Sequence, residues 1–236
     1  MITFFLVVCS LLSLRIRNLI QASQPVEEIF RLRGKAGYDV SDTKEKVYAR
    51  LVEYLKCEQY PSMAEDEFKE GNVYDIVNAV LLSTLSDFKD KSQRDDITLH
   101  REKEIISVDE EETGGMEEFV VIDVISSTDE EEQRAYVLVV EAKRSSLAAA
   151  FRQLLLSLKD MRDTNREKGV VYGFATTGED WQMVTYDGKF QLTEKFSVMF
   201  PRMRESKERW IKEFSVIVDL MYIALEEGGG GYVVGR

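Results

Sequence analysis

In the run AYVLVVEAKRSS, Ala135 to Ser146, an apolar stretch ends by placing Glu141 and Lys143 two positions apart. Side chains along a strand alternate faces with period two, so both charges are expected on the face of the buried Val139. An ionised group beside a core costs free energy unless it is paired, metal-bound or wetted by a cleft. A solvated Glu–Lys pair at a strand end is the simplest reading; a chemical site is the alternative. The preceding stretch, EFVVIDVISS, is joined to AYVLVVEAK through STDEEEQ, an acidic turn with no apolar residue. That pattern predicts an antiparallel hairpin. Folding it about residues 129–130 sets Glu118 opposite Glu141, and directly opposed residues share a face with Cβ atoms about 5 Å apart. Glu118, Glu141 and Lys143 are thus expected to converge at one end of the hairpin. Asp123 falls further along, on the other face, and ranks second to Glu118. Two carboxylates at that distance repel, and Lys143 offsets only part of the repulsion; a divalent cation does so better. Carboxylate oxygens with the Ala142 main-chain carbonyl suit hard Mg²⁺ or Mn²⁺ rather than zinc. Asp75, from an earlier helix, is a further candidate acid.

The elements that must position these groups follow from hydrophobic periodicity. SDTKEKVYARLVEYLK has Asp42 and Glu45 at capping-box spacing, then an apolar stripe of Val47, Leu51, Tyr54 and Leu55. In NVYDIVNAVLLSTLSDF, Val77, Leu81, Leu85 and Phe88 mark a buried helix face. From residue 97 the pattern turns β-branched and aromatic, so ITLHREKEIIS, EFVVIDVISS and AYVLVVEAK read as three strands. LAAAFRQLLLSLKDMRDTN reads as a helix whose buried side is supplied by Leu154, Leu155, Leu156 and Leu158. GVVYGFATTG, WQMVTYDG and KFQLTEKFSVMF read as strands, and SKERWIKEFSVIVDLMYIALEE as a closing helix. The order ααβββαβββα predicts a single α/β domain, a mixed β-sheet flanked by helices, over residues 42–226. Residues 1–41 form an apolar segment and linker, and 227–236 a Gly-rich flexible tail.

Composition closes several routes. With 44% hydrophobic and 31% charged residues the chain has enough apolar surface for a core. A formal charge of −12 opposes broad nonspecific attraction to nucleic acid, yet basic residues gather locally at Arg152–Lys168 and in PRMRESKERWIK. One histidine and two cysteines exclude a separate four-ligand Cys/His zinc site and leave His100 as the only base for a Ser-His-Asp or Cys-His mechanism. Amid TLHREKE it reads as a half-exposed strand residue. No phosphate-binding glycine loop precedes a helix, so no nucleotide cofactor is expected. The opening MITFFLVVCSLLSL is short for a stable membrane span; Arg15 and Arg17 after it oppose signal-peptide orientation, which favours an intracellular address over secretion.

A hairpin carrying an acid, then Glu141-Ala142-Lys143, then a helix, resembles the PD-(D/E)xK nuclease superfamily, whose fold is restriction-endonuclease-like. Gln153 in FRQLLLSLKDMR resembles the Q-x-x-x-Y helix of its RecB-like members. VVYGFATTGEDWQMVTYDG, with Trp181, looks like the strand–turn–strand of type I restriction-subunit N-terminal domains and uncharacterised fungal relatives. The resemblance covers about residues 42–226. It implies a magnesium-dependent nuclease acting on nucleic acid, DNA before RNA. In it Glu118, Glu141 and the Ala142 carbonyl hold metal, Lys143 assists the attacking water, and Gln153 orients the site. Trp181 by itself reads as a core residue. Two positions depart from the pattern: Glu117-Glu118 stands where Pro-Asp is expected, and Ser157 replaces the tyrosine. A degenerate copy that binds nucleic acid or protein, including a secreted effector, would show the same departures.

Overall fold

The structure is a computed structural model that describes residues 19, 21–58, 60, 68–104, 116–125, 133–144 and 146–228. The apolar run before residue 19 and the Gly-rich run after 228 lie outside the described residues. Five helices of eight or more residues and seven strands are described: α1 Val26–Arg33, α2 Ser41–Cys57, α3 Glu70–Ser92, β1 Ile97–Glu104, β2 Met116–Ile125, β3 Gln133–Ala142, α4 Leu147–Thr164, β4 Val171–Thr176, β5 Asp180–Tyr186, β6 Phe190–Leu192, β7 Phe196–Ser197 and α5 Val216–Glu227. The strands form one mixed, open sheet in the order β1-β2-β3-β4-β5-β6, with β7 also pairing β5.

Adjacent strands are antiparallel except β3 and β4, which are parallel. A parallel pair needs a crossover, and α4 supplies it. The helices cover both faces. Val47 and Leu51 of α2, Ile76 and Leu81 of α3, and Met221 and Leu225 of α5 pack with Val121, Val140 and Phe174 on one side. Phe151, Leu154 and Leu158 of α4 pack with Val120, Val139 and Val184 on the other. The expected mixed α/β sheet flanked by helices is what the chain forms. Gly173 on β4 allows α4 to lie close: a Cβ there would overlap Leu154 Cδ1 and come 3.2 Å from Leu158 Cδ2.

Several boundaries differ from the periodicity, for identifiable reasons. Helix α2 begins at Ser41, and Asp39 rather than Asp42 accepts from the Ser41 amide at 2.9 Å and hydroxyl at 2.7 Å. The run 189–200 pairs with β5 at both ends but is broken in the middle. There the Thr193 hydroxyl takes over, accepting the Met183 amide at 2.9 Å. The closing helix is interrupted: a single turn, Lys207–Arg209, leads into a π-helical segment, Trp210–Phe214, ahead of α5. The Ser215 hydroxyl donates back to the Ile211 carbonyl, a bond known to bend helices. Helix α1 had no counterpart in the periodicity; its Ile29 joins the core at 1% exposure, and Gln24 bridges Thr193. No helix among the described residues is long and apolar enough to cross a membrane.

Candidate functional site

Because β3 and β4 are parallel, both deliver their carboxyl ends to the same edge of the sheet, the place where open α/β sheets characteristically bind ligands. The Lys143 amide donates to the Thr176 carbonyl at 3.0 Å and ties the two ends together. Helix α4 starts here, its first turn capped by the Ser146 hydroxyl, which accepts the Ala149 amide at 3.1 Å. The first turn of α3 arrives from the other face: Glu70 Oε1 lies 3.4 Å from Lys143 Nζ.

Glu141 is the chemically unusual residue of this edge. It has no exposed surface. Its Oε1 accepts a hydrogen bond from the Ser157 hydroxyl at 3.2 Å, while Oε2 has no hydrogen-bond partner among the described residues. Ser157 Oγ also lies 3.1 Å from the Gln153 carbonyl. One hydroxyl proton therefore serves two acceptors, and Glu141 receives less than a full hydrogen bond even on its satisfied side. An unpaired acceptor in a protein interior costs about 1–3 kcal/mol, and more when charged.

Beside the turn the register is one residue off folding about residues 129–130, with Ile125 opposite Gln133 and Asp123 opposite Ala135, and an irregularity between Val121 and Ile122 brings the far end of the hairpin into the expected register. Phe119 pairs with Val140 and Val120 with Val139, so the next step of the same register sets Glu118 opposite Glu141 on the backbone. The Glu118 side chain itself lies outside the described part of the structure. Ala142 ends β3, buried and paired with Thr176. Gln153 is half-buried, one helical turn ahead of Ser157. Lys143 does not follow the simple alternation. The strand ends at Ala142, and the lysine reaches α3 on the opposite face from Glu141's partner on α4.

Asp123 is not at this edge. It pairs with Ala135 and Ile97, about 13 Å along β2 from Phe119 at strand rise. There Arg94 Nη2 lies 2.6 Å from its Oδ2 and 3.3 Å from Asp96 Oδ2. Burial pushes the Asp123 carboxyl above its usual range, and the neighbouring Asp96 adds to the rise against the pull of Arg94. Asp75 is exposed on α3, away from Lys143's partner. The acid that α3 contributes is Glu70, five residues earlier. His100 is a half-exposed strand residue, its Nε2 3.1 Å from Thr98 Oγ1.

The T-G-x-x-W stretch is a folding unit. Gly178 takes φ +91°, a left-handed conformation that L side chains rarely adopt. Thr176 Oγ1 accepts the Gly178 amide at 2.8 Å and donates to the Asp180 carbonyl at 2.9 Å. Trp181, fully buried, closes the turn by donating from Nε1 to the Gly178 carbonyl at 2.8 Å.

Two partners of the site were not given that role by the sequence pattern: Ser157 was named only as the departure at the tyrosine position of Q-x-x-x-Y, and Glu70 was not named. Within LLLSL, Leu156 is 49% exposed and Ser157 faces the sheet. Phasing from Phe151, Leu154 and Leu158 places position 157 inward and 156 outward, which is the signal that was available. Glu70 is far from Lys143 in sequence and carries no local mark. The donor chemistry fits a hard divalent cation: an unpartnered buried carboxylate oxygen, a second acid in register and a main-chain carbonyl. Among the described residues no cluster of three or more His, Cys, Asp or Glu could hold a metal ion. Comparison of the chain with protein-family models, with curated proteins and with solved structures finds no match.

Proposed function

We propose that this chain is a magnesium-dependent phosphodiesterase of nucleic acid, with DNA the preferred substrate, on a restriction-endonuclease-like fold. The observation that carries the reading is the buried Glu141 with its unpartnered Oε2, at the carboxyl end of a parallel strand pair. Support for the fold comes from element order, which follows ααβββαβββα with α1 added in front and the sixth strand divided into β6 and β7.

Glu141, Glu118 and the Ala142 carbonyl would hold Mg²⁺ or Mn²⁺. Such an ion lowers the pKa of a bound water and offsets charge developing on the phosphoryl oxygens. Ser157 fixes the Glu141 carboxylate from behind, through Oε1, which leaves Oε2 as the free donor. Glu70 holds the Lys143 ammonium near the end of β3, where it would meet a phosphate oxygen or the attacking water. Gln153 would orient the bound group from α4, one turn before Ser157.

A second reading has its own observation. Glu141 has no solvent-exposed surface, and its hydrogen bond goes to an interior serine. A nuclease-fold protein that binds nucleic acid or another protein without cutting it would keep this arrangement. Calorimetric titration of Mg²⁺ and Mn²⁺ into the wild-type protein and into Glu141→Gln and Glu118→Gln separates the two. Binding of metal in wild type that both substitutions abolish supports the enzyme. Equal heats in all three proteins contradict it.

A further inference from the structure

Strand β7 runs antiparallel to β5, whose first residues follow the β4–β5 turn. The chain therefore leaves β7 at the same end of the sheet where β3 delivers Glu141 and Lys143. The link is continuous: the Lys143 amide bonds the Thr176 carbonyl, the Thr177 amide bonds the Asp180 carbonyl, and the Val198 amide bonds the Glu179 carbonyl at 2.8 Å. Three strand spacings, about 14 Å, separate β3 from β7. A duplex covers that distance in about four base steps of 3.4 Å.

The segment that emerges there, PRMRESKERWIK, carries five cations against two acids in a chain of net charge −12. All five, Arg202, Arg204, Lys207, Arg209 and Lys212, are exposed. Lys207 pairs with Glu45 and Arg209 with Glu213. Arg202, Arg204 and Lys212 make no ion pair among the described residues. The backbone beneath them is fixed. Met203 and Trp210 are fully buried, Tyr48 donates to the Met203 carbonyl at 2.9 Å, and Trp210 Nε1 donates to the Val198 carbonyl at 2.7 Å. Arg202 itself is held at φ +62°, uncommon for a residue with a Cβ. A fixed backbone spares the cost of ordering the chain and leaves only side-chain freedom to be lost on meeting a polyanion.

We propose that Arg202, Arg204 and Lys212 form a phosphate-binding ridge that holds the nucleic-acid backbone beside the candidate site. This rests on the nuclease reading for the identity of the polyanion, but it concerns binding and stands apart from cleavage.

The test is fluorescence anisotropy of the full chain with labelled single-stranded and duplex DNA, in EDTA, over a range of NaCl concentrations. The ridge variant is Arg202→Gln/Arg204→Gln/Lys212→Gln. A charge-matched control, Arg31→Gln/Arg50→Gln/Lys189→Gln, alters exposed cations on α1, on α2 and in the β5–β6 turn, outside both basic clusters. The ridge variant should bind at least tenfold more weakly at 100 mM salt. Its log K against log salt slope on duplex should fall by about 2–3, since each lost phosphate contact removes about 0.9. The control should match wild type. Equal losses in ridge and control variants overturn the ridge, as does wild-type affinity in the ridge variant. Loss of binding to phosphatidylserine vesicles with DNA binding intact also overturns it and assigns the patch to a membrane surface. Cleavage measured in parallel keeps the two proposals apart: metal-dependent cleavage with no ridge effect removes only the ridge, and a ridge effect without cleavage removes only the catalysis.

Discussion

Replacing Glu141 by methionine is expected to stabilise the metal-free protein and destabilise it relative to wild type once magnesium is present. Methionine fills a similar volume and brings no polar atom into a position with no exposed surface. The substitution removes the unpartnered Oε2, a liability of about 1–3 kcal/mol or more. It also removes the Ser157 hydrogen bond, about 1 kcal/mol, but Ser157 keeps the Gln153 carbonyl at 3.1 Å and is not left unsatisfied. The net gain is about 0–2 kcal/mol, in the direction of replacements of buried charges by apolar side chains. For a chain of this length each kcal/mol shifts Tm by about 2–4 °C, so the metal-free variant should melt up to about 8 °C higher. With Mg²⁺ at one hundred times its Kd, wild type gains about 2.7 kcal/mol that the variant lacks, and the order inverts. Calorimetric melts of both proteins in EDTA and across a magnesium series read this directly. A variant that is less stable in EDTA by 2 kcal/mol or more, or that gains as much from magnesium as wild type does, refutes the reasoning.

Three further outcomes follow from the packing and the charges. Burial alone would raise the Asp87 carboxyl, but hydrogen bonds from Lys46, Lys91, Thr43 and Tyr222 outweigh it and hold the group below the ordinary carboxylate range. Its stabilisation is therefore complete above the unfolded value, about 3.9, and is lost as pH falls through the folded one. Denaturant melts from pH 7 to pH 2 should show that loss, and Asp87→Asn should flatten it while costing about 2–3 kcal/mol at neutral pH. Gly173→Ala should cost about 1–3 kcal/mol by overlap with Leu154 Cδ1, and much less when combined with Leu154→Ala, as a double-mutant cycle in urea will show. Ser157→Ala should weaken magnesium binding about tenfold and Ser157→Thr should restore it, because the hydroxyl behind Glu141 orients the donor.

The hairpin was the most legible part of the chain. Its acidic turn and alternating strands specify the pairing to within one residue: Asp123 lies opposite Ala135, one residue off, and a shift between Val121 and Ile122 then sets Phe119 opposite Val140. Helix α3 was equally legible, since Val77, Leu81, Leu85 and Phe88 all lie in the core. Legibility fell where a side chain replaces a regular backbone partner: Asp39 at the start of α2, Thr193 in the divided edge strand and Ser215 before α5. The site followed the same division. Glu141 and Glu118 are related by local register and could be read, whereas Glu70 meets Lys143 only through the docking of α3 on the sheet. Ser157 was legible by its spacing from Gln153 and by helical phase, but its bond to Glu141 depends on how α4 docks on the sheet. Asp123 was readable as a buried strand acid needing a partner, but Arg94 reaches it from the far end of the domain, after α3.

The central claim is that the edge carrying Glu141 and Lys143 cleaves phosphodiester bonds with a divalent metal. The direct measurement is nuclease activity of the purified chain on single- and double-stranded DNA and RNA, in Mg²⁺, Mn²⁺ or EDTA, beside Glu141→Ala and Lys143→Ala. Metal-dependent cleavage, strongest on DNA and lost in both variants, is the predicted result. A folded wild-type protein that cuts none of these substrates in either metal, or variants that cut as well as wild type, would contradict it.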